Sequence, residues 1–161
     1  MENKETIRNL LHQIPDPEIP VISIVELGVI RDVLLDSKNI EVIITPTYSG
    51  CPAMKQMEDD IRKKLIEAGF ETIKITTVYA PAWTTDWLSE AAKEKLRKYG
   101  IAPPEESTTD KSFLSHQPKN ITCPRCKSKN TAMVSQFGST ACKALYKCND
   151  CLEAFDYFKC I

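Results

Sequence analysis

Long hydrophobic runs are what this chain of 161 residues most plainly lacks. Its longest purely apolar stretch is about five residues, whereas a membrane-crossing helix needs roughly 20. The N-terminus also lacks the basic-then-apolar pattern of a secretory signal. The expectation is therefore a soluble protein of the cytoplasm, with no membrane partner. Histidine is scarce, with only His12 and His116, one in an expected helix and one in an expected linker. Neither is placed by sequence beside a thiol as a general base, which leaves an enzyme built on a cysteine nucleophile with little support. A dominant charge is missing as well, the formal net charge being -1.

What is present is a usable core and an unusual amount of cysteine. An apolar content of 42% is enough to bury a real core, and the length suits one ordinary domain with a small appendage. Seven cysteines would suggest disulfides in a secreted domain. The odd count and the CxxC spacings point instead to a reducing compartment and to metal chemistry. The net charge also conceals an asymmetry. Residues 1–117 carry 14 Lys and Arg against 19 Asp and Glu, whereas residues 118–161 carry 7 against 3, so two parts of different kind are expected.

The stretch Thr45-Pro46-Thr47-Tyr48-Ser49-Gly50-Cys51-Pro52 stands where a strand signal gives way to a helix signal. Before it, Ile40, Val42 and Ile44 alternate with Glu41 and Ile43, the period of a strand. After it, Met54, Met57, Ile61, Leu65 and Ala68 fall at helical spacing, with Pro52 in a first turn and Gly69 at the C-terminal end. Cys51 thus lands at a helix N-terminus, where unpaired N–H groups and the dipole favour thiolate over thiol and predict a pKa below about 8.5. A cysteine so placed is a candidate nucleophile or metal ligand, or a small residue packed at a turn.

Around this corner the chain reads as follows. Residues 3–14 form an amphipathic helix with Asn3 as its cap and Ile7, Leu10, Leu11 and Ile14 on one face. Pro15, Pro17 and Pro20 then forbid helix and stiffen a turn that carries Asp16 and Glu18. These two acids are either solvated groups at a helix stop or carboxylates held to face a site. Val21 to Ile30 is a helical turn or an extended segment. Val29–Leu35 and Ile40–Thr45 make an antiparallel hairpin about Asp36-Ser37-Lys38-Asn39. The helix 52–68 and a strand from Phe70 to Val78 complete one small sheet. A last helix is expected after Trp83, capped by Thr84, Thr85 or Asp86, with Trp87, Leu88, Ala91, Ala92, Leu96 and Tyr99 as its apolar face and Gly100 as its end. Its Lys93, Glu94, Lys95, Arg97 and Lys98 are the solvated side, and the tryptophans are core anchors. From Ala102 to Asp110 the composition is that of a linker. The domains expected are residues 1–103, a linker at 104–119, and residues 120–161.

In the last segment Cys123-Pro124-Arg125-Cys126 and Cys148-Asn149-Asp150-Cys151 form two CxxC knuckles, each able to give two thiolates to one tetrahedral ion. Strands are expected at Thr131–Phe137, Ala144–Tyr146 and Glu153–Lys159, the layout of a zinc ribbon. So short a segment buries too little to fold unaided, and the metal would supply the folding free energy. Zinc suits an all-sulfur shell, and the spacing alone admits an iron–sulfur cluster on the same thiolates. Cys142 and Cys160 remain, each packed, an alternate ligand or reactive. Lys119, Arg125, Lys127, Lys129, Lys143, Lys147 and Lys159 with Phe155, Tyr157 and Phe158 suggest docking to an acidic protein surface ahead of nucleic-acid binding, because a surplus of this size is modest for a dedicated nucleic-acid binder.

Two resemblances follow from these residues. Asp16-Pro17-Glu18-Ile19-Pro20, Ser23-Ile24-Val25-Glu26-Leu27-Gly28-Val29-Ile30 and Thr45–Pro52 resemble the small α/β domain of SufT-type iron–sulfur assembly factors over about residues 5–100. With Phe137-Gly138-Ser139-Thr140-Ala141-Cys142-Lys143-Ala144-Leu145-Tyr146 and Phe158-Lys159-Cys160, the whole chain resembles the PaaD family, accessory D subunits encoded with the phenylacetyl-CoA epoxidases of bacterial phenylacetate catabolism. The resemblance implies an α+β fold, with a short mixed sheet and flanking helices followed by a zinc ribbon. It implies a non-catalytic maturation role, supporting iron–sulfur cluster assembly or insertion in the epoxidase. It also implies a reactive Cys51 near Asp16 and Glu18, and leaves open whether Cys51 binds iron itself or only contacts the client. The cofactors implied are structural zinc on Cys123, Cys126, Cys148 and Cys151 and a transient cluster or iron. The partners implied are oxygenase or reductase subunits of the epoxidase, iron–sulfur assembly proteins, and a second copy of the chain. The competing readings are a ribbon adaptor that binds proteins or nucleic acid, and a cysteine-nucleophile enzyme.

Overall fold

In the computed structural model, which describes residues 3–37, 39–105 and 120–159, the first helix starts where the sequence places its cap. Asn3 Oδ1 accepts from the Thr6 N–H at 2.8 Å, and α1 (Lys4–Leu11) buries Ile7 and Leu11. The helix stops short of Ile14, ahead of the prolines. β1 (Ile30–Asp36) and β2 (Asn39–Ile44) pair antiparallel, with Leu35 opposite Ile40 and Asp36 opposite Asn39. Ser37 takes the left-handed backbone a tight hairpin needs, at φ 54. Lys38, expected in the same turn, lies outside the described residues. Strict alternation buries Ile40, Val42 and Ile44 while Glu41 and Ile43 stay half-buried.

From β2 the chain passes through α2 (Ala53–Glu67) to β3 (Thr72–Thr77), which pairs with β2 in parallel, Val42 opposite Ile75. The sheet order is β1-β2-β3, mixed as expected. Parallel neighbours need a crossover, and α2 is that crossover. It turns Ala53, Met57, Ile61 and Leu65 inward. Ala53 replaces Met54 on the expected face, because Met54 is only half-buried. The segment before β1 contains a helical turn, one of the two alternatives expected, in which the Leu27 N–H donates to the Ser23 carbonyl at 2.9 Å. Ser23 and Glu26 cap each other, the Ser23 N–H donating to Glu26 Oε2 at 2.9 Å and the Glu26 N–H to Ser23 Oγ at 3.1 Å. This reciprocal pair holds a tight turn that buries Ile22, Ile24, Leu27 and Val29. Trp83 is the core anchor expected of it, buried and donating its Nε1–H to the Leu27 carbonyl at 2.8 Å. Trp87 is only half-buried.

The chain divides into two compact units, Met1–Trp83 and Thr84–Ile161, and the last helix lies in the second. That helix starts later than expected. Thr84 caps only a single 3-10 turn, Thr85–Trp87. Leu88 is then extended (φ -71, ψ 125) and buried. Ser89 caps α3 (Glu90–Tyr99), accepting from the Ala92 N–H at 3.1 Å. Gly100 ends α3 in the left-handed conformation, at φ 93, the C-terminal stop the sequence announces. Ala102, expected to open a linker-like run, instead joins Ile101 in β4 (Ile101–Ala102), parallel to the last strand, β7 (Ala154–Phe158). Of the linker expected at 104–119, residues 106–119 lie outside the described residues. β5 (Thr131–Ser135), β6 (Lys143–Cys148) and β7 (Ala154–Phe158) are the three expected ribbon strands, in the order β4-β7-β6-β5. Ala102 packs with Ile121, Cys123, Ala144, Tyr146, Cys148 and Phe155 in their core. Pairing and burial together explain why α3 and β4 group with the ribbon.

Trp83→Phe keeps an aromatic ring in the core but removes the donor to Leu27. The first unit should lose about 1–3 kcal/mol, read as faster amide exchange in β2 and a lower urea midpoint for that unit.

Candidate functional site

The proline-stiffened turn folds back on the segment that follows it. The Asp16 N–H donates to the Ile22 carbonyl at 2.9 Å, and the Ile24 N–H donates to the Ile14 carbonyl at 3.1 Å. With its backbone so clamped, the Asp16 carboxylate turns inward. It is 2% exposed, and its Oδ1 accepts from the N–H groups of Glu18 at 2.9 Å and Ile19 at 2.7 Å. Aspartate commonly caps a turn in this way. The expectation that both acids face a site therefore divides. Asp16 holds the turn, and Glu18 is half-buried and exerts its charge on Cys51.

Cys51 lies where it is expected, one residue before the N-cap Pro52 of α2. Its N–H donates to the Tyr48 carbonyl at 3.3 Å and its carbonyl accepts from Met54 at 3.3 Å, so it closes one turn and opens the next. Gly50 supplies the left-handed bend, at φ 79. The side chain is 9% exposed, at the margin of the surface, because Ser49, Gly50 and Pro52 on either side are exposed. The expected fall in its pKa is overturned. Burial pushes the Cys51 thiol up from the ordinary cysteine range, the Ala53 N–H at the helix start pulls against it, and the Glu18 charge adds to the rise. Side-chain hydrogen bonds with Tyr48 and Thr47 help hold it down without reversing the direction. The helix terminus acts as predicted, but desolvation outweighs it. Sequence reasoning misses Thr47 and Tyr48 as partners of the sulfur, and their place within the Thr45–Pro52 corner is the signal that could find them.

His12, the C-cap of α1, has its Nε2 3.8 Å from Glu26 Oε1. His116 and Cys160 lie outside the described residues. Cys142 is buried, with its Sγ 3.1 Å from Thr140 Oγ1, in keeping with the packed alternative.

The second centre is in the ribbon, where the four sulfurs of Cys123, Cys126, Cys148 and Cys151 lie within 4.8 Å of one another. Cys123 and Cys151 are 3.8 Å apart, and Cys126 and Cys148 are 3.5 Å apart. Metal–sulfur bonds of about 2.3 Å in a tetrahedron put sulfurs about 3.8 Å apart, so the donor set fits one tetrahedral ion. Both knuckles have the same backbone, each second cysteine being followed by a left-handed residue, Lys127 at φ 65 and Leu152 at φ 64. The N–H groups of Cys151 and Asp150 help bring the Cys148 thiol down to about 7, while burial and hydrogen bonds with the other three sulfurs push the Cys151 thiol up to about 12, so a cation, and not the fold alone, must release all four protons. Asp150, between two ligands, accepts from Ser128 Oγ and from Asn130 Nδ2 at 2.7 Å. Asn149 Nδ2 donates to Asn130 Oδ1 at 3.1 Å. These polar side chains tie one knuckle to the other.

With both centres described, comparison with known proteins is informative. A family model described as "PaaD zinc beta ribbon domain" matches residues 107–159, and one described as "Iron-sulfur cluster assembly protein" matches residues 4–78. A relative from Escherichia coli K12, named as the D subunit of a "Putative 1,2-phenylacetyl-CoA epoxidase", is 49% identical over 152 residues, 94% of this chain and 90% of the relative. The chain belongs to the PaaD family of phenylacetyl-CoA epoxidase D subunits. The first part of this family member has wider kin. The "Fe-S protein maturation auxiliary factor YitW" of Bacillus subtilis is 35% identical over 58% of the chain and 92% of its own length. A crystal structure of a domain of unknown function, DUF59, from Bacillus anthracis superposes with a TM-score of 0.54 at 30% identity, covering 58% of this chain and 90% of that one. A conserved hypothetical protein from Thermotoga maritima gives a TM-score of 0.51 at 26% identity over 59% of this chain and 94% of its own. The α+β architecture with a four-cysteine ribbon is thus the family's, and no described helix is long and apolar enough to cross a membrane.

Two measurements check the site. Iodoacetamide labelling of Cys51 against pH should give an apparent pKa above the ordinary thiol value, about 8.5. Glu18→Gln should move the profile to lower pH, because removing a neighbouring negative charge favours the thiolate. At Asp16, replacement by Ala should cost about 1.5–3 kcal/mol in urea unfolding. Asp16→Asn, which keeps the acceptor oxygen, should cost much less.

Proposed function

We propose that this protein is an accessory factor that supports iron–sulfur cluster assembly or insertion in a phenylacetyl-CoA ring epoxidase and does no chemistry on the thioester itself. The reading rests chiefly on one observation. Cys51 stands at the strand-to-helix corner beside Glu18, in the part of the chain that matches the iron–sulfur assembly model. The same polypeptide continues into the ribbon that matches the PaaD model. Its family relative is named as part of an epoxidase, and kin of its first part are named as Fe–S maturation factors. Cys51 is the thiolate ligand for iron or a passing cluster, the cargo of the protein, with Glu18 as the adjacent carboxylate and Asp16 holding the turn that positions it.

The Cys51 thiol resists alkylation and oxidation while protonated, and becomes a ligand when a metal ion displaces its proton. One thiolate does not complete a cluster, so the remaining ligands come from the client, a small thiol or a second copy of the chain. The ribbon holds structural zinc on Cys123, Cys126, Cys148 and Cys151, a closed shell with no open coordination position, and the unit built on it docks the client proteins. The setting is the cytoplasm, where such thiols stay reduced.

Anaerobic reconstitution tests the reading. Wild-type and Cys51→Ser protein are each incubated with an iron and sulfide source and the apo epoxidase proteins, and the cluster content of the client is measured. Delivery should fall to the uncatalysed background with Cys51→Ser, while zinc stays at about one per chain in both proteins. Equal delivery by the two proteins overturns the role of Cys51.

A further inference from the structure

The last turn of α3 and the first cysteine knuckle border a groove of about 410 Å³ within the second unit. Arg97, Lys98, Arg125 and Lys127 line it with Tyr99, and Glu94 is the one acid among the lining residues. Arg97 Nη1 lies 3.2 Å from Glu94 Oε2, which accounts for one of the four cations. Arg125 Nε is 4.0 Å from Glu153 Oε2, with both side chains more than half exposed, too loose and too wet to neutralise it. Lys127 Nζ donates to the Pro124 carbonyl at 3.2 Å, a neutral acceptor that leaves its charge uncancelled. Lys98 has no carboxylate partner among the described residues. The C-terminal dipole of α3 offsets only about half a charge. None of the four knuckle sulfurs lines the groove.

We propose that this groove docks an acidic polypeptide segment of a partner protein, which sets two or three carboxylates among Arg97, Lys98, Arg125 and Lys127. Arg and Lys side chains pair with phosphates as well as carboxylates, but a surplus of 7 Lys and Arg against 3 Asp and Glu over residues 118–161 is modest for a nucleic-acid binder, and many phosphate sites add converging N–H groups at helix N-termini or in nests. This groove lies instead at a helix C-terminus, and the knuckle presents it with the Pro124 carbonyl. Its donors are all side-chain tips on flexible stems, which adapt to carboxylates carried on a chain, and the two guanidinium forks match a carboxylate edge to edge. Gly100 keeps the floor low. A Cβ there would stand 3.9 Å from Arg125 Nη2, so the guanidinium lies within contact distance of the helix end. The inference deepens the client-docking role proposed above and rests on it for the reason a partner binds, but its test needs no cluster.

The test uses the full zinc-loaded chain and fluorescence anisotropy of a short fluorescein-labelled peptide of alternating Glu and Gly. Wild type should bind it in low salt and release it as salt rises. The variant Lys98→Glu with Arg125→Glu should weaken binding at least about tenfold, while Lys63→Glu on α2, in the other unit, leaves it unchanged. Should the reversal fail to hold zinc, Arg97→Gln with Lys98→Gln alters only the helix side and should weaken binding about threefold. Cys51→Ser protein should bind the peptide as wild type does, so a failed delivery experiment leaves this result standing, and the converse holds. Unchanged affinity in the groove variants overturns the proposal. So does displacement of the peptide by inorganic pyrophosphate or a short oligothymidylate at lower concentration than by unlabelled peptide.

Discussion

The parallel pairing of β2 with β3 constrains the first unit most. Two antiparallel strands can be joined by a tight turn, but parallel neighbours require the chain to leave the sheet and return. α2 carries it back, and the register Val42 to Ile75 follows. The segment Thr45–Pro52 therefore becomes a corner at the C-terminal end of β2, the side of a parallel pair where ligands tend to bind. Cys51 owes its position to this topology. The prolines at 15, 17 and 20 and the Asp16 cap then shape the turn that brings Glu18 into electrostatic range of the sulfur.

Two opposing forces meet at that sulfur. The N–H of Ala53 at the helix start favours the anion, while burial and the Glu18 charge favour the neutral thiol, and the latter prevail. The result is a thiol kept mostly protonated at neutral pH, yet flanked by exposed Ser49, Gly50 and Pro52. A metal ion and an electrophile both need the thiolate, so either must act against the same protonation equilibrium.

The second unit solves a different problem. Its strands are short, and two of its four knuckle cysteines, Cys123 and Cys148, are themselves core residues beside Tyr146 and Phe155. Apolar burial and the sulfur cluster are thus one structure. Tyr146 stacks on Phe155 at 5.9 Å and meets Tyr157 edge-on at 5.8 Å, so the aromatic cluster abuts the knuckles. β4 extends this sheet by pairing with β7, and α3 comes with it. The basic groove is a product of that extension, because its cations come from α3 and from the knuckle.

Several features were legible in the amino-acid order because they depend on short-range chemistry. The Asn3 cap, the hairpin, the helix after Cys51, the Gly100 stop and the two CxxC knuckles are each set by the local geometry of a few neighbouring residues. The four-cysteine cluster was legible for the same reason, since two short loops each carry half of its sulfurs. The tertiary structure alone decided the rest. Ala102 reads as linker until a strand more than fifty residues away pairs with it, and Leu88 reads as helix until the core draws it out extended. Asp16 reads as a solvated or site-facing acid until the turn closes around it. The direction of the Cys51 pKa belongs to this second group, because a helix terminus is visible in a sequence whereas desolvation depends on everything the fold packs around the sulfur.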